Sequence, residues 1–115
     1  MKENIIWTVE GRIREGKQEA FEAVMQDMIA AVKEEEGSLN YEWTLGKDGK
    51  SLHVYERYRD VEAAKAHLVT WSRFAGTFMA AVEITRITVF SDLPPELKAG
   101  FSGAVFMKPI GGCVK

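Results

Sequence analysis

His67, Trp71 and Phe74 stand four and then three residues apart, a spacing that on a helix stacks all three along one edge and presents an imidazole flanked by aromatic rings. An imidazole so placed takes a proton from a phenol or hydroquinone, and the anion left behind gives an electron to oxygen more readily than the neutral phenol does. The same spacing also describes a core histidine bonded to backbone, with Trp71 and Phe74 as packing. Tyr41, Trp43 and Tyr55 fall on predicted strands. They are read as the opposite wall of such a pocket or, alternatively, as sheet and interface packing. Arg73 is read as a group that holds an anionic substrate or steadies a developing oxyanion, or else as an exposed helix arginine. Glu42 and Glu56 lie on successive strands, and they form an acid/base dyad or a metal site only if the register brings them together. The run Glu34 to Glu36 is read as a solvated helix end, and Cys113 as a free thiol.

Other chemistries lack their residues. Two histidines and one cysteine are too few for a closed zinc site, and no metal is expected. No glycine-rich loop follows a strand, since Gly11 or the pair Gly111-Gly112 is too little, so no nucleotide cofactor is expected, nor any other. Fifteen Lys and Arg against seventeen Asp and Glu give a net charge of -2, the wrong balance for neutralising phosphates, and nucleic acid is not an expected partner. No apolar run reaches the length of a signal-peptide core or a membrane span, so a cytoplasmic protein without a membrane partner is expected.

The elements that must position these residues follow from periodicity. Ile5, Trp7, Val9 and Ile13 alternate with Thr8, Glu10 and Arg12, the pattern of a half-buried strand. From Lys17 the period changes: Phe21, Val24, Met25, Met28, Ile29 and Val32 trace one stripe of a helix. Gly37 is placed to end that helix in a left-handed conformation, against three glutamates that oppose the helix dipole. Leu39 to Leu45 and Leu52 to Tyr58 flank Lys47-Asp48-Gly49-Lys50, a hairpin. Asp60 caps a second helix carrying Val61, Ala64, Leu68, Trp71, Ala75 and Phe78, with a kink or break open at Gly76. Glu83 to Phe90 is a β-branched strand. Pro94 and Pro95 open a short helix that Gly100 closes, and Ala104 to Met107 is a last short strand, an edge strand or one that crosses to a partner. With 46% hydrophobic and 28% charged residues, residues 1–115 read as one domain with a core over 5–92 and an extension over 93–115. Strand, helix, strand, strand, helix, strand is the order of a ferredoxin-like α+β fold, an antiparallel sheet with both main helices on one face. Tyr55 beside Val54 and Leu52 places large residues on both sheet faces, and a second copy of the chain is expected to cover the open one.

Arg14-Glu15-Gly16-Lys17-Gln18-Glu19-Ala20-Phe21, then Glu35-Glu36-Gly37-Ser38-Leu39-Asn40-Tyr41-Glu42, then Val54 through Leu68 resemble, in that order and spacing, the antibiotic biosynthesis monooxygenase family over roughly residues 5 to 92. The resemblance implies a dimeric α+β barrel in which two sheets pack face to face. It further implies either a cofactor-independent monooxygenase acting on a phenol-like or quinol-like aromatic, or a dimeric small-ligand binder without catalysis. Haem degradation comes third: Val9 stands where that branch has an Asn on the first strand, and Thr77 or Phe78 where it has the iron-ligating His. Arg73 precedes Phe74 where many members have a second His. Fold is implied more firmly than function.

Overall fold

The computed structural model describes residues 4–115. β1 (Ile5–Ile13) leads into α1 (Gln18–Lys33); β2 (Ser38–Leu45) and β3 (Ser51–Tyr58) form a hairpin; α2 (Val61–Ala81) passes directly into β4 (Val82–Val89). A short α3 (Pro95–Lys98), a 3-10 turn (Ala99–Phe101) and β5 (Val105–Phe106) follow. The sheet order is β2-β3-β1-β4-β5. This is the expected ferredoxin-like α+β fold, but the sheet is mixed. The extension adds β5 as an edge strand parallel to β4, while the other pairs are antiparallel.

Local chemistry accounts for the elements. α1 buries Phe21, Val24, Met28 and Val32, the stripe its sequence carries. In the hairpin turn Asp48 Oδ1 accepts the backbone N–H groups of Lys50 and Ser51, both at 2.8 Å, and Gly49 takes a φ of 72° that other residues resist. Asp60 caps α2 by accepting the Ala63 N–H at 2.9 Å, a contact worth about 1 kcal/mol. α2 runs unbroken through Gly76. The glycine is exposed, and its cost of about 1 kcal/mol against alanine is less than the flanking turns gain by burying Phe78 and half-burying Trp71.

Gly37 is not left-handed. What the position requires is space, because a Cβ there would overlap the Cβ of Ala63. Glycine lets the start of α2 lie against the turn that follows α1, and Glu35 in that turn comes within reach of α2.

Register decides which residues can meet. Tyr41 pairs with Glu56 and Glu42 with Tyr55. Directly opposed residues share a sheet face, so Glu56 points toward the helices and Glu42 away from them, and the two form no dyad. The face away from the helices is more polar than the alternation implied: Ile6 and Tyr55 share it with Thr8, Glu10, His53, Arg57, Arg86 and Thr88. On the helix face, one core cluster gathers Phe21, Met28, Val54 and Phe78, and a second gathers Trp7, Tyr58, Val89, Leu97 and Phe101. The space between them is the cavity described next.

Candidate active site

A cavity of about 110 Å³ lies between the sheet and α2. Trp7, Tyr41, Trp43 and Trp71 give it aromatic walls, Glu56 and His67 form its polar end, and Gly100 and Phe101 line it from the C-terminal extension. That volume is of the order of the roughly 150 Å³ site that accepts benzene and below the roughly 300 Å³ at which pockets for larger ligands begin.

The polar end is one connected network. His67 is 4% exposed, and its Nδ1 lies 3.2 Å from Glu35 Oε1 while its Nε2 lies 3.2 Å from Glu56 Oε1. Glu56 Oε1 also accepts the Trp7 indole N–H at 2.8 Å and the Tyr58 hydroxyl at 2.6 Å. Ser38 donates its hydroxyl to Glu35 Oε1 at 2.7 Å. Three aromatic rings surround the imidazole, with centroids of Tyr58 at 4.9 Å, Tyr41 at 5.4 Å and Trp7 at 6.3 Å.

Burial alone would pull the imidazole's pKa down, but the hydrogen bonds and charges of Glu35 and Glu56 outweigh it and push His67 up to about 9. Burial raises Glu35, yet hydrogen bonds from His67, Thr70 and Ser38 prevail and hold its carboxyl below the ordinary value. Tyr41 and Tyr58 are pushed upward by burial and by the neighbouring carboxylates. Both stay neutral phenols. At neutral pH His67 is therefore an imidazolium with both N–H groups given to carboxylates. It has no lone pair to act as the base expected from the sequence, and none to offer a haem iron.

Glu56 has the free oxygen instead. Its Oε1 is crowded by three donors, while its Oε2 has no hydrogen-bond partner among the described residues and is not sealed in protein. Glu56 lines the cavity, so the side chain that carries this unpartnered acceptor belongs to the cavity wall. Trp43 adds the complementary group, an indole N–H that is buried and unpartnered.

The candidate residues named from the sequence divide into two sets. His67, Trp71, Tyr41 and Trp43 line the cavity. Phe74 is half-buried against the first core cluster instead, and Arg73 is exposed with its guanidinium 5.3 Å from the centre of the Phe74 ring. Tyr55 is on the opposite sheet face. Trp71 lies edge-on to Phe78 at 5.5 Å rather than beside His67. Glu35 was missed, since its side chain is only 11% exposed and not solvated. The shared site with Glu42 that the sequence left open does not form, and Glu56, between Val54 and Tyr58 in the alternation, puts a carboxylate on the core face instead. Of the two positions that could have held the haem branch's histidine, Thr77 is exposed and Phe78 is core. Among the described residues no cluster of three or more potential metal ligands forms, and no helix is long and apolar enough to cross a membrane.

A ferredoxin-like chain with an aromatic cavity under its second helix has relatives of known class. Residues 5–71 match the antibiotic biosynthesis monooxygenase family, more than half of the chain, and the protein belongs to that family. Its fold is similar to that of MupZ from Pseudomonas fluorescens, at 24% identity and a TM-score of 0.81 over 100% of this chain and 91% of that one. It is also similar to Rv0793 from Mycobacterium tuberculosis, at 21% identity and a TM-score of 0.68 over 79% of this chain and 96% of the other. SnoaB from Streptomyces nogalater, a cofactor-independent oxygenase, matches at 15% identity and a TM-score of 0.67 over 80% of this chain and 95% of its own. No curated protein sequence matches the chain.

Proposed function

We propose that this protein is a homodimeric, cofactor-independent monooxygenase acting on a small phenol-like or quinol-like aromatic. The observation that carries the reading is Glu56, a buried carboxylate in the wall of an aromatic cavity, with one oxygen fixed by Trp7, Tyr58 and His67 and the other without a hydrogen-bond partner among the described residues. The description of SnoaB as a cofactor-independent oxygenase supports the oxidative half.

The chemistry follows from the network. Glu56 Oε2 takes the phenolic proton, and the phenolate is stabilised by the neighbouring imidazolium of His67, so proton transfer leaves the total charge of the site unchanged. Negative charge spreads to the ring carbon para to the oxygen, which bonds to molecular oxygen as the dioxygen is reduced to a ring peroxide. That peroxide takes up a proton. Loss of the carbon's hydrogen as H⁺ and cleavage of the O–O bond then release water and leave a second carbonyl. Phenol and one O₂ give a quinone and one H₂O, and no external reductant is required. Trp43, another residue of the cavity wall, carries a buried indole N–H without a partner, a donor available to an oxygen of the guest or of the peroxide.

Oxygen uptake with a panel of single-ring phenols and hydroquinones, in protein shown by elemental analysis and visible spectrum to be free of metal and flavin, tests the reading. With phenols that carry hydrogen at the para carbon, one O₂ consumed per quinone formed and no hydrogen peroxide released are expected; a hydroquinone, already oxygenated at that carbon, can give the quinone only with release of hydrogen peroxide and serves as the control. Tight binding of the same compounds without oxygen uptake would make the protein a ligand-binding module.

The dimer rests on family membership and on a sheet face that carries charges of both signs, Glu10 with Arg57 and Arg86, which a two-fold axis can bring together. Light scattering at micromolar concentration is expected to give twice the chain mass. A stable monomer would remove the barrel.

A further inference from the structure

We propose that Phe101 is a specificity-determining residue: a stopper, supplied by the C-terminal extension, that limits the guest to one ring. Phe101 is 7% exposed and packs against Trp7 with ring centroids 4.8 Å apart and planes tilted by 58°. Both rings line the cavity, and the Trp7 indole N–H is one of the three donors to Glu56. The ring of Phe101 thus forms part of the cavity wall beside the Trp7 indole, near the polar end.

The stopper is held in place from several directions. Leu97, one turn earlier, is 4% exposed and belongs with Phe101 to the core cluster of Trp7 and Tyr58. Lys65 on α2 reaches Glu96 at 3.4 Å, and the extension is pinned beyond the turn by the pairing of β5 with β4. The family match ends at residue 71, so the wall formed by Phe101 lies outside the pattern that defines the family, while the carboxylate network and its aromatics lie within or next to it. Size selection is therefore carried by a segment other than the one that carries proton transfer. Next to Phe101, Gly100 is exposed and a Cβ on it would meet nothing within 4 Å, so the extension contributes one bulky wall residue and, beside it, an unobstructed one.

The cavity of about 110 Å³ suits a single ring, and on this proposal two fused rings are accommodated only when the Phe101 side chain is shortened or moves aside. Shortening the side chain opens the cavity along the edge of Trp7 and leaves the Glu56 oxygens where they are. The proposal rests on the cavity being the site where the aromatic binds, and binding is tested separately from oxidation.

The experiment measures the affinities of phenol and 2-naphthol, without turnover under anaerobic conditions, for the wild type, Phe101→Leu and Phe101→Ala. The leucine variant retains most of the packing and serves if the alanine variant fails to fold. The expected result is a preference for phenol in the wild type and a relative gain for 2-naphthol of at least tenfold in the variants, larger for alanine than for leucine. An unchanged ratio of the two affinities, or no binding of either compound by any of the three proteins, would overturn the stopper. Oxygen uptake is scored independently: a shifted binding ratio without oxygen uptake on any phenol keeps the stopper and removes the monooxygenase, whereas phenol oxidation with an unchanged ratio does the reverse.

Discussion

Glu56→Gln is expected to lower kcat by roughly a hundredfold to ten-thousandfold, the range of a lost general base, in a protein that still folds and still binds a phenol. Glutamine suits this comparison because of what it retains. Its carbonyl oxygen can accept from Trp7, Tyr58 and His67 as Oε1 does now, and its amide nitrogen takes the place of Oε2, where it can donate but cannot receive a proton. The pH profile distinguishes this mechanism from an imidazole base. A free imidazole at its ordinary value would make kcat/KM fall on the acid side near pH 6.5. With His67 pushed up to about 9, no inflection is expected near 6.5, and activity declines instead as pH rises through about 9. Deprotonation there removes the cation next to Glu56 and leaves a more negative cavity that opposes formation of a phenolate. Full activity in Glu56→Gln together with an acid limb near 6.5 would return the base to His67.

The residues that sequence periodicity could place were those whose environment is set by near neighbours. Trp7 alternates with Thr8, Phe21 and Met28 share a helical stripe, and Asp60 caps the helix it precedes; each depends on contacts within a turn or a strand. Glu35 shows the opposite case. It stands in a run of three glutamates in which nothing local distinguishes the one that turns inward, and its fate depends on Gly37 admitting Ala63 and, with it, the helix that carries His67. The charge on His67 was likewise unreadable, because the carboxylates that set it come from the end of α1 and from β3. Tyr55 was placed in the pocket because large residues on a strand look alike until the register fixes the face. Glu56 was legible in part: the alternation that makes Leu52, Val54 and Tyr58 core residues includes it, and a carboxylate among them needs an explanation.

His67→Leu is expected to destabilise the fold by about 3–5 kcal/mol, the cost of leaving buried charge without its partner. Leucine has similar bulk, so the loss reads the charge rather than a void: Glu35 and Glu56 would face each other across an apolar space with no cation between them. The wild type carries the same information in its pH dependence. An unfolded histidine titrates near 6.5, while the folded one titrates near 9. Between those values the native state holds a proton that the unfolded state has lost, so stability falls as pH rises through this window and is fully present below 6.5. A gap of that size corresponds to on the order of 3 kcal/mol. Glu35 acts in the other direction. Its carboxyl is held below the ordinary value of 4.5, so its contribution is present above 4.5 and is lost as pH falls through the lowered value. Urea unfolding followed from pH 4 to pH 10 is therefore expected to show a maximum at mildly acidic pH, with a loss toward alkaline pH that disappears in His67→Leu. Equal alkaline losses in the two proteins would mean that His67 is not held charged by its carboxylates, and the imidazole would again be free to act as a base.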